Sequence, residues 1–268
     1  MSRRLWFNLR IYFLLQTVHL RTALTYEADF WIGIVGVALT QGAGIIFVWT
    51  IFQHIPTVDG WSLWEVALLY ALVVIPRGLV ELLCDGMWQL RALVNRGELD
   101  RLLVRPISPL LQLITQCSSI HGMCSVLLGS MVLIQSVQAL HLHWGIGEIV
   151  LLGVTLVNAV LLMGSINLLT NCVAFWDPSA SSSFPFLIQN FCDFGKFPLT
   201  LYNQLMQFVL TWLVPFAFVS YYPGLVLLHR AGASPWLAYG TPLSGPFMLL
   251  IAITLWRIGL KRYQGTGH

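Results

Sequence analysis

Apolar stretches long enough to cross a lipid bilayer recur along this chain of 268 residues. A spanning helix needs roughly 17 to 25 predominantly apolar residues, because the hydrocarbon core is about 30 Å thick and each residue adds about 1.5 Å. Strands of a membrane barrel would instead alternate in polarity over about ten residues, whereas these stretches are apolar on every face. The sequence therefore predicts an all-α polytopic membrane protein with six transmembrane helices. The predicted spans cover residues 30–52, 63–84, 117–140, 147–170, 203–221 and 244–260.

The composition leaves no room for a separate soluble domain. Charged residues make up 9% of the chain and hydrophobic residues 57%, whereas soluble domains carry about 25% charged residues. No polar block between the spans is long enough to fold by itself. We therefore predict a single transmembrane domain over residues 1–268.

Proline and glycine predict two interruptions in the second half of the chain. The apolar stretch 184–221 is too long for one crossing, and Pro198 can break it after Lys196 because proline lacks a backbone donor. Residues 184–195 then form a half-helix or a tilted extension. Residues 222–243 mix prolines and glycines with apolar side chains, which is typical neither of a water-exposed loop nor of a span. We predict short re-entrant half-helices there, buried in protein or facing a cavity.

Basic residues predict which ends of the spans face the cytoplasm. They precede the first span, follow the second and follow the last, and the two short loops on the other side have none. Since lysine and arginine accumulate on the cytoplasmic side, both termini are expected there. Within residues 1–27, a helix would place Arg3, Arg10, Thr17 and Arg21 close together, away from apolar side chains. This pattern favours an N-terminal interfacial helix.

The polar 86–109 segment, which joins the second and third spans, is amphipathic. Leu90 and Leu93 share one face of a helix, while Arg91 and Asn95 point away from it at i, i+4 spacing. Two interpretations are open from the residues alone. The segment is either a solvated loop whose arginines set the topology, or an element that docks on a soluble partner.

A motif within this segment resembles that of a known family. Residues 97–109 read GELDRLLVRPISP and are followed by Leu111 and Gln112. This run closely resembles the GELD-x-x-L-x-RP signature of a type-2 ABC exporter permease family. Residues 61–65 (WSLWE) and 196–202 (KFPLTLY) are similar to other common stretches of that family. The resemblance covers nearly the whole chain.

The resemblance implies a six-helix permease in a bacterial inner membrane, with an N-terminal interfacial helix and a cytoplasmic coupling helix in the 86–109 segment. It also implies two ATP-binding subunits and a second permease, often a dissimilar one. The chain has no GxxxxGK[ST] phosphate-binding loop, so no cofactor is expected in it, and ATP and Mg²⁺ are expected in the partner ATPase. The residues expected to carry ATPase coupling are Arg91, Arg96, Gly97, Glu98, Leu99, Asp100, Arg101, Arg105 and Pro106.

Motifs of catalysis are missing from the sequence. It has no HExxH, no GxSxG and no paired carboxylates at helical spacing in a span, and its five cysteines form no CxxC. We therefore expect a non-catalytic permease subunit without a metal site. Its expected surroundings are membrane lipids, and no nucleic-acid partner is expected. Because the spans contain so few charges, we expect an exported substrate that is apolar or amphipathic. The alternative is a secondary transporter or a membrane scaffold without an ATPase.

Two pairs of ionisable residues lie in apolar surroundings. Arg77 and Glu81 are four residues apart in the second predicted span, and Asp193 and Lys196 are three apart near the predicted break. Such residues are functional candidates, because each costs about 2.5–3.5 kcal/mol at a helix centre on insertion scales. Both spacings allow bridging along one helix. We predict two structural ion pairs, with contact to the substrate as the alternative.

Overall fold

The computed structural model describes residues 10–18, 27–177, 183–230 and 235–263, and these are mainly helical and form no strand. The prediction of an all-α polytopic membrane protein is confirmed. The helices of the described residues are α1 (10–18), α2 (Glu27–His54), α3 (Leu63–Cys84), α4 (Leu90–Asn95), α5 (Leu99–Val104), α6 (Pro109–Ile114), α7 (Gly122–Ala139), α8 (Ile146–Asn171), α9 (Ser183–Asn190), α10 (Gln204–Phe208), α11 (Tyr221–Leu227) and α12 (Pro235–Arg262).

Five helices in the described part of the chain are long and apolar enough to cross a membrane. They are α2, α3, α7, α8 and α12, and they lie where the first four spans and the last were predicted. A sixth crossing is present if the bent pair Gln204–Leu213 and Phe216–Leu227 counts as one span.

The predicted fifth span, residues 203–221, is not one straight helix. After α10 a π-helical turn covers Val209–Leu213, and the chain then bends by 76°. Pro215 lies at the bend, where it has no N–H to continue the helix and disfavours helical geometry at Val214, whose φ is −125° and ψ 82°. The pair is therefore either a broken span or a re-entrant loop.

The predicted break after Lys196 is present. A 3-10 helix ends at Lys196, Phe197 is extended, and a second 3-10 turn begins after Pro198. The predicted half-helix before the break corresponds to α9 and that first 3-10 helix.

The region predicted to form re-entrant half-helices, residues 222–243, is divided differently. α11 ends at Leu227, whereas α12 begins at Pro235 and continues unbroken through Pro242 and Pro246. Proline is tolerated at the first helical position and also within membrane helices, where neighbouring groups satisfy the freed backbone. The last span therefore starts earlier than residue 244. Residues 231–234 of the predicted region lie outside the described residues.

Two closely packed helix pairs form the centre of the bundle. α3 packs on α7, and the two helices approach at Gly78 and Gly122. α8 packs on α12, where the side-chain oxygen of Asn158 accepts a hydrogen bond of 2.8 Å from the backbone N–H of Gly245. α3 also contacts α8, and its residues 68–74 are buried at the junction of the pairs. Small residues at such contacts let membrane helices come close together.

One end of the bundle concentrates positive charge, and we call it the basic end. There α3, α8 and α12 end and α7 begins. The basic end carries Arg91, Arg96, Arg101, Arg105, Lys261 and Arg262. At the opposite end, the turn between α2 and α3 lies against the residues that follow α11.

Candidate functional site

The inner face of the 86–109 segment is buried against the basic ends of the spans. Leu90 and Leu99 are fully buried, and Leu93, Val94 and Leu102 are nearly so. They belong to one apolar cluster with α8, α12 and the turn after α8, including Cys172, Phe175, Ala252 and Trp256. The amphipathic pattern predicted from the sequence is thus present, and the apolar face meets protein. The segment is therefore packed on these spans through its apolar face.

The outer face of the segment is charged and exposed. Arg96, Asp100, Arg101 and Arg105 are exposed, and Gly97 forms the turn between α4 and α5 with a positive φ of 67°. Glycine adopts this conformation without the strain that a side chain would bring. Arg91 and Glu98 are half-buried and Pro106 is exposed. Of the nine predicted coupling residues, Leu99 alone is fully buried, so it can anchor the segment but cannot contact a partner.

Gln112 closes the segment on its C-terminal side. Its side-chain amide donates hydrogen bonds to the backbone carbonyls of Leu102 (3.0 Å) and Ile107 (2.9 Å). These bonds satisfy a carbonyl of α5 and one in the proline turn, so they fix the shape of the segment. The sequence signal for this role was the position of Gln112 directly after the motif, but the residue was not among the predicted site residues.

α1 packs beside the segment, on the end of α3. The Tyr12 hydroxyl donates to the carbonyl of Leu83 at 2.9 Å, and the Gln16 amide donates to the same oxygen at 3.0 Å. Burial raises the pKa of Tyr12 to about 12, so the phenol stays protonated and remains a donor near neutral pH. Residues 1–9 and 19–26 of the predicted interfacial helix lie outside the described residues.

The two predicted ion pairs form one network. Arg77 is 3.4 Å from Glu81 and 2.8 Å from Asp193, and Lys196 is 2.9 Å from the same oxygen of Asp193. The Lys196 ammonium also lies 5.1 Å from the centre of the Tyr70 ring. The network balances two positive and two negative charges, and it joins α3 to the 3-10 helix before the break at Pro198. Its role as a structural pair or as a substrate contact stays a prediction.

A protein-family model described as ABC-2 family transporter protein matches residues 38–267. The chain belongs to the ABC-2 transporter family. It is therefore the transmembrane, permease component of an ABC transporter, a class of subunit that associates with an ATP-binding subunit. No match to the chain was found among curated proteins or among solved structures. The match includes the 86–109 segment and the ion-pair network and begins after α1.

A polar clamp at the opposite end of this ABC-2 permease was not predicted. Arg230 is 3.3 Å from the Glu65 carboxylate, lies 4.1 Å from the centre of the Trp61 ring, and donates to the carbonyl of Gly60. Glu65 also accepts from the backbone N–H of Ser62 at 2.8 Å, which caps α3. The clamp joins the start of α3 to the turn after α11. Its sequence signal was Arg230 itself, an isolated basic residue on the side where the two short loops have none.

The described residues of the ABC-2 permease contain no cluster of three or more His, Cys, Asp or Glu side chains that could hold a metal ion. Its cysteines at positions 84, 117, 124, 172 and 192 are all unpaired.

A double-mutant cycle tests the bond that joins the two halves of the network. We expect Arg77→Gln and Asp193→Asn each to lower the stability of the ABC-2 permease, and the double variant to lose less than the sum. The expected coupling energy is about 1 kcal/mol, because Asp193 is 45% exposed and the coupling energies of partly exposed ion pairs are well below those of fully buried ones. Thermal unfolding of the purified chain in mild detergent measures all four proteins. Strict additivity would show that Arg77 and Asp193 do not interact.

Proposed function

We propose that this permease belongs to an ATP-driven exporter, in which the 86–109 segment transmits movement from a separate ATP-binding subunit to the spans. The observation that carries this proposal is the two-sided character of the segment. Its charged face is exposed at the basic end, and its apolar face is buried against α8 and α12. An element of this kind suits a mechanical connection, because a partner can grip one face while the other is part of the bundle.

The path of movement follows from the contacts of the segment. Its first turn, Asp85–Gln89, continues directly from α3, so a push on the segment also acts on α3. From α3 the ion pair between Arg77 and Asp193 leads to the residues before Pro198. α3, α8 and α12 then move relative to the neighbouring permease, and the bent pair α10–α11, which contacts them, changes position with them.

The assembly and orientation are part of the same proposal. The basic end faces the cytoplasm of a bacterial inner membrane, and both termini lie there, because basic residues accumulate on that side. Two ATP-binding subunits dock at this end and hold the ATP and Mg²⁺. A second permease, dissimilar to this chain, completes the membrane part. α2 supports such an arrangement, since Ile32 and Leu39 are 70% and 67% exposed and need lipid or protein to cover them.

We propose an apolar or amphipathic substrate. An apolar cavity of about 390 Å³ lies between α12 and the bent pair, with Trp212, Pro215, Phe218, Leu237 and Phe247 in its walls. Its volume is within the range of roughly 300–1,000 Å³ of small-molecule sites. The balanced charges of the ion-pair network also favour a pathway that is not tuned to one sign of charge.

Isolation of the chain from its native membrane tests this function. We expect an ATP-binding subunit with a phosphate-binding loop to co-purify in mild detergent, and mass spectrometry identifies it. A second, different permease in the same sample would support a membrane domain that is formed by two dissimilar permeases. Repeated isolation without any ATPase, under conditions in which the chain remains folded, would favour a secondary transporter or a scaffold.

A further inference from the structure

A cavity of about 310 Å³ lies between α1 and the 86–109 segment, apart from the cavity beside α12. Its walls combine apolar side chains of both elements with three charged ones, Glu98, Arg101 and Arg105. The volume is at the lower end of the range of roughly 300–1,000 Å³ found for ligand sites. It accommodates a small polar group with apolar attachments, rather than a whole lipid.

A buried acceptor in the wall lacks a partner. Gln112 is 5% exposed and lines the cavity, and its side-chain oxygen accepts no hydrogen bond within the described residues. Its nitrogen is already engaged with the carbonyls of Leu102 and Ile107, so the amide cannot turn over without losing both bonds. A buried acceptor without a donor is costly. A ligand that offers an N–H group would remove this cost.

The charged side chains of the cavity favour a ligand that also carries a phosphate. In the part of the chain that the structure describes, the side chains of Arg101, Arg105 and Glu98 make no ion pair. Two guanidinium groups favour a phosphate, which they bind with charge-assisted hydrogen bonds. Glu98 and the Gln112 oxygen would repel a ligand that is only anionic. The cavity therefore suits a ligand that carries a phosphate and an ammonium group together.

The position of α1 indicates where such a ligand comes from. Phe13 and Leu14 are 64% and 56% exposed on α1, which is the arrangement of a helix lying in the membrane interface. Ile11 and Leu15 line the cavity on the same helix. If α1 lies in the interface in this way, the cavity is at the level of phospholipid headgroups.

We propose that the cavity binds the headgroup of a primary-amine phospholipid. The phosphodiester lies against Arg101 and Arg105, and the ammonium group donates to the Gln112 oxygen and pairs with Glu98. A quaternary ammonium has no N–H for Gln112, and a glycerol headgroup has no positive charge for Glu98. The bound headgroup holds α1 against the 86–109 segment, in addition to the hydrogen bonds of Tyr12 and Gln16 to α3.

Lipid binding to the purified full-length chain tests the proposal without any ATP-binding subunit, so its outcome is independent of the proposed coupling. The probes are phosphatidylethanolamine, phosphatidylserine, phosphatidylcholine and phosphatidylglycerol with identical acyl chains, added to delipidated protein in neutral detergent. Native mass spectrometry measures the bound lipid. We expect at least one primary-amine lipid to bind roughly ten-fold more tightly than phosphatidylcholine and phosphatidylglycerol, which is the difference that one charge-assisted hydrogen bond would provide. The comparison between phosphatidylethanolamine and phosphatidylserine shows which of the two primary-amine lipids the cavity prefers. Equal binding of all four lipids would overturn the proposal.

Variants test whether the lipid preference arises in this cavity. Arg105→Gln is expected to weaken binding of the preferred lipid roughly ten-fold by removing a phosphate contact. Glu98→Gln is expected to reduce the preference for amine over choline headgroups. Arg96→Gln is the matched control, because Arg96 is exposed on the same segment and does not line the cavity. The proposal is also overturned if Arg96→Gln weakens binding as much as Arg105→Gln.

Discussion

Replacing Glu98 and Asp100 together by lysine is expected to separate the permease from its ATP-binding subunit. Both carboxylates are among the predicted coupling residues of the 86–109 segment; Asp100 is exposed on its outer face, and Glu98 is half-buried. If this face docks on the ATPase, the variant places like charges opposite each other, and such juxtapositions cost several kcal/mol. Since each 1.4 kcal/mol corresponds to about ten-fold in affinity, we expect the amount of co-purified ATPase to fall at least ten-fold. Quantitative mass spectrometry of the purified complex measures this ratio.

Three controls distinguish lost docking from a damaged fold. Glu98→Gln with Asp100→Asn removes the charges without reversing them and should have an intermediate effect. Lys261→Glu reverses an exposed charge at the end of α12, outside the segment, and should leave the ATPase bound. Tyr263→Phe is the third control, because burial and the carboxylate of Asp100 raise the pKa of Tyr263, so a change at Asp100 also alters the surroundings of this phenol. Unchanged recovery of the ATPase with the double lysine variant would refute docking through this face.

Features that depend on neighbouring residues in the chain were predictable. The length of the apolar stretches indicated the long spans, and Pro198 indicated the break after Lys196. The burial of Leu90 and Leu93 followed from their spacing on a helix, because residues three or four apart share a face. The bend at Pro215 also had a local signal, a proline within an apolar stretch. It was missed because the apolar stretch around it is long enough to be read as one continuous span.

Contacts between distant parts of the chain were not predictable from the pattern. Arg77 and Asp193 are 116 residues apart, and only the packing of α3 against the 3-10 helix brings them to 2.8 Å. Arg230 likewise meets Glu65 across most of the sequence. Leu99 was predicted to be a coupling residue because it lies inside the motif. Its full burial shows that the motif combines residues that present a surface with residues that hold the surface in place.

Replacing Gly122 by alanine is expected to lower the stability of the ABC-2 permease by forcing α7 away from α3. A Cβ atom at this position would lie 2.4 Å from the carbonyl oxygen of Gly78 and 3.0 Å from the backbone nitrogen of Leu82. These are backbone atoms of α3, so no side-chain rotation relieves the clash, and α7 must move away from α3. Overpacking of this kind typically costs about 1–3 kcal/mol, and we expect the upper end because the helices are displaced along their whole contact. Thermal unfolding in mild detergent measures the loss.

Gly36→Ala is the matched control for this close contact. Gly36 lies in α2, also a spanning helix, and a Cβ there meets no described residue within 4 Å. Alanine is favoured over glycine in a helix by roughly 0.5–1 kcal/mol in water, so this variant should be as stable as the parent chain or slightly more stable. Gly78→Ala should resemble Gly122→Ala, because its Cβ would lie 2.6 Å from the carbonyl oxygen of Gly122. If all three variants unfold at the same temperature, α3 and α7 do not approach through these glycines. α3, through which the 86–109 segment is proposed to act on the bundle, would then pack on α7 in a different way.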